Sequence, residues 1–274
     1  MKTHINTMVK NEGLLLDKVL PIWKNYPVDF FVFYNDNSTD DTCDIIAKHL
    51  DADKFIILND ELIDFNESHN RSRMSEYSRD KCDYIIFLDS DELLSSNIIN
   101  NYSEFIKLYD TSNLQLYWYN VVDSLDAYRF DSQYRNAFGG FITKSEHMGS
   151  MNLSQAKYHT CPRYVNNKLP TTYTNEFGVI HLQSLNKKYY ALKQLWYKHF
   201  EFKTWGHSVQ SLNSKYDPVV NNFEFNLQKT PLEIIKDIYF DVTVFEKLAD
   251  GKGYLEYIKN NYNEDLVTFG REYL

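Results

Sequence analysis

A chain of 274 residues, 43% hydrophobic and 24% charged, is long enough to bury roughly three quarters of its unfolded surface, which excludes disorder and implies one large domain or a domain with an appendage. Its 29 Lys and Arg against 38 Asp and Glu leave a net charge of −9, which opposes a broad electrostatic grip on nucleic acid or anionic lipid. Only nine glycines are present, with no GxGxxG and no GxxxxGK[ST] run, so neither a Rossmann dinucleotide loop nor a P-loop is encoded. Cys43, Cys82 and Cys161 form no CxxC pair and read as reduced, mostly buried thiols. The start, MKTHINTMVKNE, lacks an apolar core, and no apolar run approaches the ~20 residues of a membrane span, so a cytoplasmic location is expected.

Two periodicities alternate through the first 125 residues. His4 to Val9 reads as a strand and Gly13 to Tyr26 as a helix with Leu15, Leu16, Val19, Leu20 and Trp23 on one stripe. Val28 to Tyr34 is an almost unbroken apolar strand, and the NDNSTDDT stretch after it offers Ser38 as N-cap of a helix to about Leu50. Lys54 to Leu58 is a third strand, Glu67 to Lys81 a polar helix carrying Arg71, Arg73 and Arg79, and Tyr84 to Leu88 a fourth strand ending at Asp89-Ser90-Asp91-Glu92. A helix from Ser96 to Tyr109 and a strand from Leu114 to Val122 come next. The stretch from Asp123 to Gly178 reads as loop-rich, with a short strand at Val179 to Leu182. The remainder is helical: Lys187 to Phe202 with Lys187, Lys193 and Lys198 on its polar face, a capping box at Thr230 opening a helix to about Leu248, and a last helix to about Tyr262.

Strands alternating with helices in this way imply right-handed βαβ units and a mostly parallel sheet covered on both faces. Ligands of such sheets bind beyond the carboxyl ends of the strands, where the acid-rich turns Asn35 to Asp41 and Asp89 to Glu92 both fall. Asp89 and Asp91 flank one residue at that edge. Their hard oxygens suit Mg²⁺ or Mn²⁺, which can in turn bridge diphosphate oxygens and so stand in for the missing glycine loop.

Lys10-Asn11-Glu12 after the first strand, FYNDNSTDDT after the second and FLDSDE after the fourth resemble, in order and spacing, the glycosyltransferase family 2 group with its GT-A fold, over about a third of the chain. The resemblance implies a Rossmann-like α/β domain over residues 1–185, binding a nucleotide-sugar and carrying catalysis, with a helical C-terminal region over 186–274 packed on it. It implies that Asp36 holds the nucleotide base, with Asn35 departing from the family's first acid. Asp89 and Asp91 then match the metal and nucleotide-sugar motif, and Arg71 and Arg73 face the diphosphate or sugar. A late His in several subgroups is a further metal ligand, a role that falls on His181, ahead of His147, His159, His199 and His207. Lys198 is a candidate to neutralise the leaving diphosphate, against the reading as a solvated lysine. An inverting transfer needs a general base, for which Asp123 and Glu146 are the acids to test, while a retaining one does not. The expected donor is a nucleotide-diphosphate sugar, UDP-sugar favoured, and the acceptor a glycan, a lipid-linked glycan or a protein hydroxyl. Two other readings are open: a haloacid dehalogenase-like phosphatase, which IIFLDSDEL also resembles, and a saccharide-binding protein without catalysis, suited by the 22 Tyr, 18 Phe and 4 Trp.

Overall fold

The computed structural model describes residues 1–60, 66–108, 113–130, 138–147, 171–221, 226–251 and 253–274. In chain order they form β1 (Thr3–Val9), α1 (Gly13–Trp23), β2 (Phe30–Asn35), α2 (Thr42–His49), β3 (Phe55–Leu58), α3 (Glu67–Ser78), β4 (Tyr84–Phe87), β5 (Glu92–Leu94), α4 (Ser96–Asn100), α5 (Tyr102–Leu108), β6 (Asn113–Val122), β7 (Ser124–Arg129) and β8 (Phe138–Lys144). The later elements are β9 (Thr171–His181), α6 (Lys187–Trp205), α7 (Val209–Asn221), β10 (Leu227–Lys229), α8 (Leu232–Ile235), α9 (Val244–Gly251) and α10 (Tyr254–Asn260). No helix among the described residues is long and apolar enough to cross a membrane.

The chain divides into two units that interleave in sequence. The first holds 1–118, 138–180 and 232–238, and the second holds 119–137, 181–231 and 239–274. In the first, β3, β2, β1 and β4 lie side by side and parallel, with β8, antiparallel to β4, beyond them and then the first half of β6. The near-continuous apolar run of β2 buries Phe31, Val32, Phe33 and Tyr34, as a parallel strand covered on both faces must. α1 buries its Leu15, Leu16, Val19, Leu20 and Trp23 stripe and packs on α2, while α3 packs on β1 and β2. Strand order reverses at β1, with β2 and β3 to one side and β4 to the other, which is where such sheets open a ligand crevice.

The second unit is built on α6, which contacts α7, α9 and α10 and buries Tyr189, Tyr190, Leu192 and Leu195. β7 pairs antiparallel with the end of β6 and with β10. Gly206 ends α6 at φ +65°, a left-handed conformation that a Cβ resists.

Several expected boundaries are corrected. Ser38 does not cap a helix: its N–H donates to Asn35 Oδ1 and its Oγ accepts from Asn11 N–H, so it shapes a turn, and α2 starts four residues later with Asp41 at its cap. The helix expected over 96–109 is two helices broken at Asn101. The stretch expected to be loop-rich holds β7, β8 and β9, and the short strand at Val179 is the end of the longer β9; residues 131–137 and 148–170, with Cys161 and His159, lie outside the described residues. The helix expected from Thr230 to Leu248 is split into α8 and α9, with Asp237 between them at φ +66°. Cys43 and Cys82 are free, and half-buried rather than buried.

Candidate active site

The turns after β1 and β2 are stitched together by side chains. Asn11, at φ +51°, accepts the Thr39 N–H on Oδ1 at 2.8 Å and donates its own N–H to Ser38 Oγ at 3.0 Å. Glu12 N–H donates to Thr42 Oγ1 at 2.8 Å and Gly13 N–H to Asp40 Oδ2 at 3.1 Å. Asp36 leaves this edge with its carboxylate buried, Oδ2 held by Lys10 Nζ at 2.9 Å and its N–H donating to the Val9 carbonyl. The Lys10-Asn11-Glu12 motif therefore frames the acid of the second turn.

After β4 the chain folds back on itself: Glu92, fully buried, accepts the Asp89 N–H on Oε2 at 2.8 Å, and Glu92 N–H donates to the Asp89 carbonyl. The last residue of α1 and the turn after it secure β5, because Trp23 Nε1 donates to the Glu92 carbonyl and Leu94 N–H donates to Tyr26 Oη. Asp91 is 5% exposed, whereas the Asp89 side chain is 32% exposed.

Consecutive residues of α3 join the two acid turns. Asn70 Nδ2 donates to Asp36 Oδ1 at 3.3 Å, and Arg71 Nη2 donates to Asp89 Oδ1 at 2.9 Å. Arg71 is 2% exposed, and its Nε donates to Glu67 Oε1 at 2.8 Å. Burial opposes the guanidinium charge, but Asp89 and Glu67 outweigh it and raise the Arg71 pKa. Arg71, expected to face a diphosphate, is thus committed to two carboxylates. α3 packs on the sheet with a face that, Met74 apart, is small or polar: Ser72 and Ser75 bond back to the carbonyls of Ser68 and Arg71, and Ser78 Oγ donates to Asn6 Oδ1.

Arg73 takes another direction. Its Nε donates to Asp60 Oδ2 at 2.9 Å, beyond the end of β3, and the same oxygen is 2.6 Å from His69 Nε2. Arg73 and His69 hold the Asp60 carboxyl below its ordinary range, and Tyr34, desolvated and near Asp60 and Asp36, is pushed up to about 12. Glu146 comes just after β8, and because β8 runs antiparallel to β4, Lys144, opposite Tyr84, is already roughly 16 Å from Asp89 along the strand, with Glu146 beyond it at the other end of β4.

The remaining candidates lie in the second unit. His181 is buried, with Nδ1 2.8 Å from Asn120 Oδ1 and 3.4 Å from Gln183 Nε2. Asp123 is the exposed left-handed residue, φ +59°, of the turn between β6 and β7. Lys198 is not on a solvated face: it is fully buried, donating to Asp217 Oδ1 at 2.7 Å and Thr268 Oγ1 at 2.9 Å, and burial pulls its pKa down. His199 is a core residue bonded to the Leu195 carbonyl, and burial lowers its pKa. Asn70, Glu67 and Glu92 are site residues that sequence reasoning missed; for Glu67 the signal was its i,i+4 spacing to Arg71.

Among the described residues no three His, Cys, Asp or Glu side chains converge as a metal cage. The Asp89 and Asp91 pair nevertheless fits a hard divalent cation, since Mg²⁺-type ions are commonly held by one or two carboxylates and complete their shell with water and substrate phosphates.

Neither a family model nor a curated protein matches the sequence. Solved structures do match in fold. A mannosyltransferase from Pyrobaculum calidifontis, determined with GDP-Man and Mn²⁺, superposes with a TM-score of 0.53 at 12% identity over 93% of this chain and 69% of that one. TarS from S. aureus gives 0.50 at 13% identity over 97% of this chain and 55% of that one, so the chain spans about half the length of TarS. Glucosyl-3-phosphoglycerate synthase from Mycobacterium tuberculosis gives 0.38 at 12% identity over 54% of this chain and 58% of that one. The architecture is that of the GT-A fold, a mostly parallel sheet flanked by helices.

Proposed function

We propose that this chain is a cytoplasmic glycosyltransferase of family 2 type, a hexosyltransferase. It would move a sugar from a nucleotide-diphosphate donor, UDP-sugar first among those to test, to a hydroxyl of a glycan, lipid-linked or protein acceptor. The observation that carries the reading is the bridging by Asn70 and Arg71, which ties Asp36 and Asp89 together at the carboxyl edge of parallel strands. The donor and Mn²⁺ of the mannosyltransferase that shares the fold support it.

Asp91 and Asp89 would hold Mn²⁺ or Mg²⁺. The ion's chemistry is to neutralise charge building on the departing nucleotide diphosphate. Asp36, buried and fixed by Lys10 and Asn70, would read the base through an acceptor oxygen that cannot swing away. In an inverting transfer the acceptor oxygen forms a bond to the anomeric carbon as the carbon–oxygen bond to the diphosphate breaks, and the hydroxyl proton passes to a base. Asp123, which is exposed, is the acid we retain for that role, since Glu146 stands at the far end of β4.

Melting curves against UDP, GDP, TDP and CMP, with and without Mn²⁺, test the reading. A ligand at about 100 times its Kd adds ~2.7 kcal/mol, roughly 5 to 11 °C here. A shift that requires Mn²⁺ is expected for one nucleotide diphosphate, and Asp91→Asn should abolish it while leaving the metal-free melting temperature within a few degrees. No shift with any nucleotide in the presence of Mn²⁺ overturns the proposal.

A further inference from the structure

Arg71 offers its Nε–H and one Nη2–H along a single edge, the edge with which a guanidinium ordinarily grips both oxygens of one carboxylate. Here that edge is divided. Glu67 takes Nε at 2.8 Å and Asp89 takes Nη2 at 2.9 Å, so Asp89 is engaged by Arg71 through one oxygen, Oδ1. The arrangement is buried at Glu67 (8% exposed) and Arg71 (2%) and opens at Asp89 (32%). Arg71 Nη1 is also buried and has no hydrogen-bond partner among the described residues, so the two shared bonds fix the plane of the guanidinium.

We propose that Glu67 is a positioning residue: by occupying Arg71 Nε it prevents Arg71 from clasping both oxygens of Asp89, and so holds the Asp89 carboxylate at the carboxyl edge of the sheet instead of drawn in against the guanidinium. Two like charges side by side repel, and only the guanidinium between them makes the pairing favourable, which holds Asp89 in place without withdrawing it. Without an acceptor at Glu67, the Nε–H is left buried and unmet, and Asp89, already bonded to Nη2 on the same edge, is placed to take it. Asp89 would then turn inward, away from the crevice. The consequence for ligand binding rests on the donor reading given above; the geometry of the clamp does not.

Two measurements on the full chain decide it. The first is calorimetric titration with Mn²⁺ alone and with UDP or GDP plus Mn²⁺. Glu67→Met, which fills the volume but accepts no hydrogen bond, is expected to weaken nucleotide binding by about ten-fold or more, the scale set by losing an outer partner of a ligand site. Glu67→Gln, which keeps an acceptor for Nε and loses the charge, should restore it to within about three-fold of the parent. A merely structural Glu67 would lower the melting temperature and leave both affinities unchanged; that result, or Gln failing as badly as Met, overturns the proposal. The second measurement needs no ligand: solvent exchange of the Arg71 Nε–H by NMR. It should stay protected in Glu67→Met, because Asp89 takes it over, and lose protection in Glu67→Met/Asp89→Asn. Fast exchange in the single variant overturns the clamp. If Glu67→Met does not fold, Glu67→Ala serves both measurements. A parent protein that binds neither Mn²⁺ nor nucleotide would refute the donor reading, while the exchange measurement still decides the clamp.

Discussion

His4 lies buried on β1 with Nδ1 3.1 Å from Ser78 Oγ and its ring 5.3 Å from that of Phe30. Burial lowers its pKa to about 4, a fall that Asp29 opposes and Lys81 and Lys2 reinforce. Between about pH 6.5 and 4 the unfolded chain therefore binds the proton that the folded one refuses, so this residue's stabilisation is complete above pH 6.5 and is lost as pH falls toward 4. The loss is as much as ~3 kcal/mol. Urea unfolding of the parent and of His4→Asn at pH 7 and pH 4.5 should show the parent losing more stability over that interval, and equal losses would show that His4 does not titrate in this way. Arg71 is governed by its environment in the same way. Its helix reads as polar and solvated, yet Ser68, Asn70, Arg71, Ser72, Ser75 and Ser78 are all buried, with Met74 the buried apolar side chain. No periodicity in hydrophobicity reveals a helix face that packs through hydroxyls and an ion pair.

The elements themselves were legible where burial is regular. β1, β2, β3, β4 and α1 lie within two or three residues of the positions expected from periodicity, because parallel strands and their covering helices repeat one apolar pattern. The turns were legible as acid-rich but not as structures. Asn11 and Asn37 adopt φ +51° and +53° in the turns after β1 and β2, positions that glycine commonly fills. This is where the shortage of glycine has its counterpart: an asparagine accepts the left-handed conformation and adds a side-chain bond, here from Thr39 N–H to Asn11 Oδ1. Asn11→Ala should destabilise by about 2 kcal/mol, from left-handed strain and the lost bond, and Asn11→Gly by about 1 kcal/mol, from the bond alone. Denaturant unfolding of both variants checks this, and equal costs would mean that backbone strain plays no part. The helices expected over 96–109 and 230–248 were overrun because their breaks carry no proline or glycine; Asn101 and Asp237 interrupt them instead.

Across the whole molecule, the net charge of −9 supports the expectation that nucleic acid is not a partner. At 150 mM salt, gel retardation should detect no binding of duplex DNA or RNA at micromolar protein, and a retarded band that weakens with salt would expose a basic groove hidden in the total. The acid surplus has a local form in the first unit, where Asp36, Asp60, Asp89, Asp91 and Glu92 share the carboxyl edge of the sheet and Lys10, Arg71 and Arg73 answer part of it. The sequence by itself determined the parallel strands β1 to β4, the helices that alternate with them, and the acids at their carboxyl edge, because each depends on local periodicity and on which residues end a strand. Only the tertiary structure decided which of those residues meet. Asn70 and Arg71 reach Asp36 and Asp89 across 34 and 18 residues, Lys198 turns from an expected solvated face to a buried partner of Asp217, and Glu146 falls at the far end of β4. Such pairings depend on strand direction and on how closely a helix approaches a sheet, and these are set by contacts between distant segments.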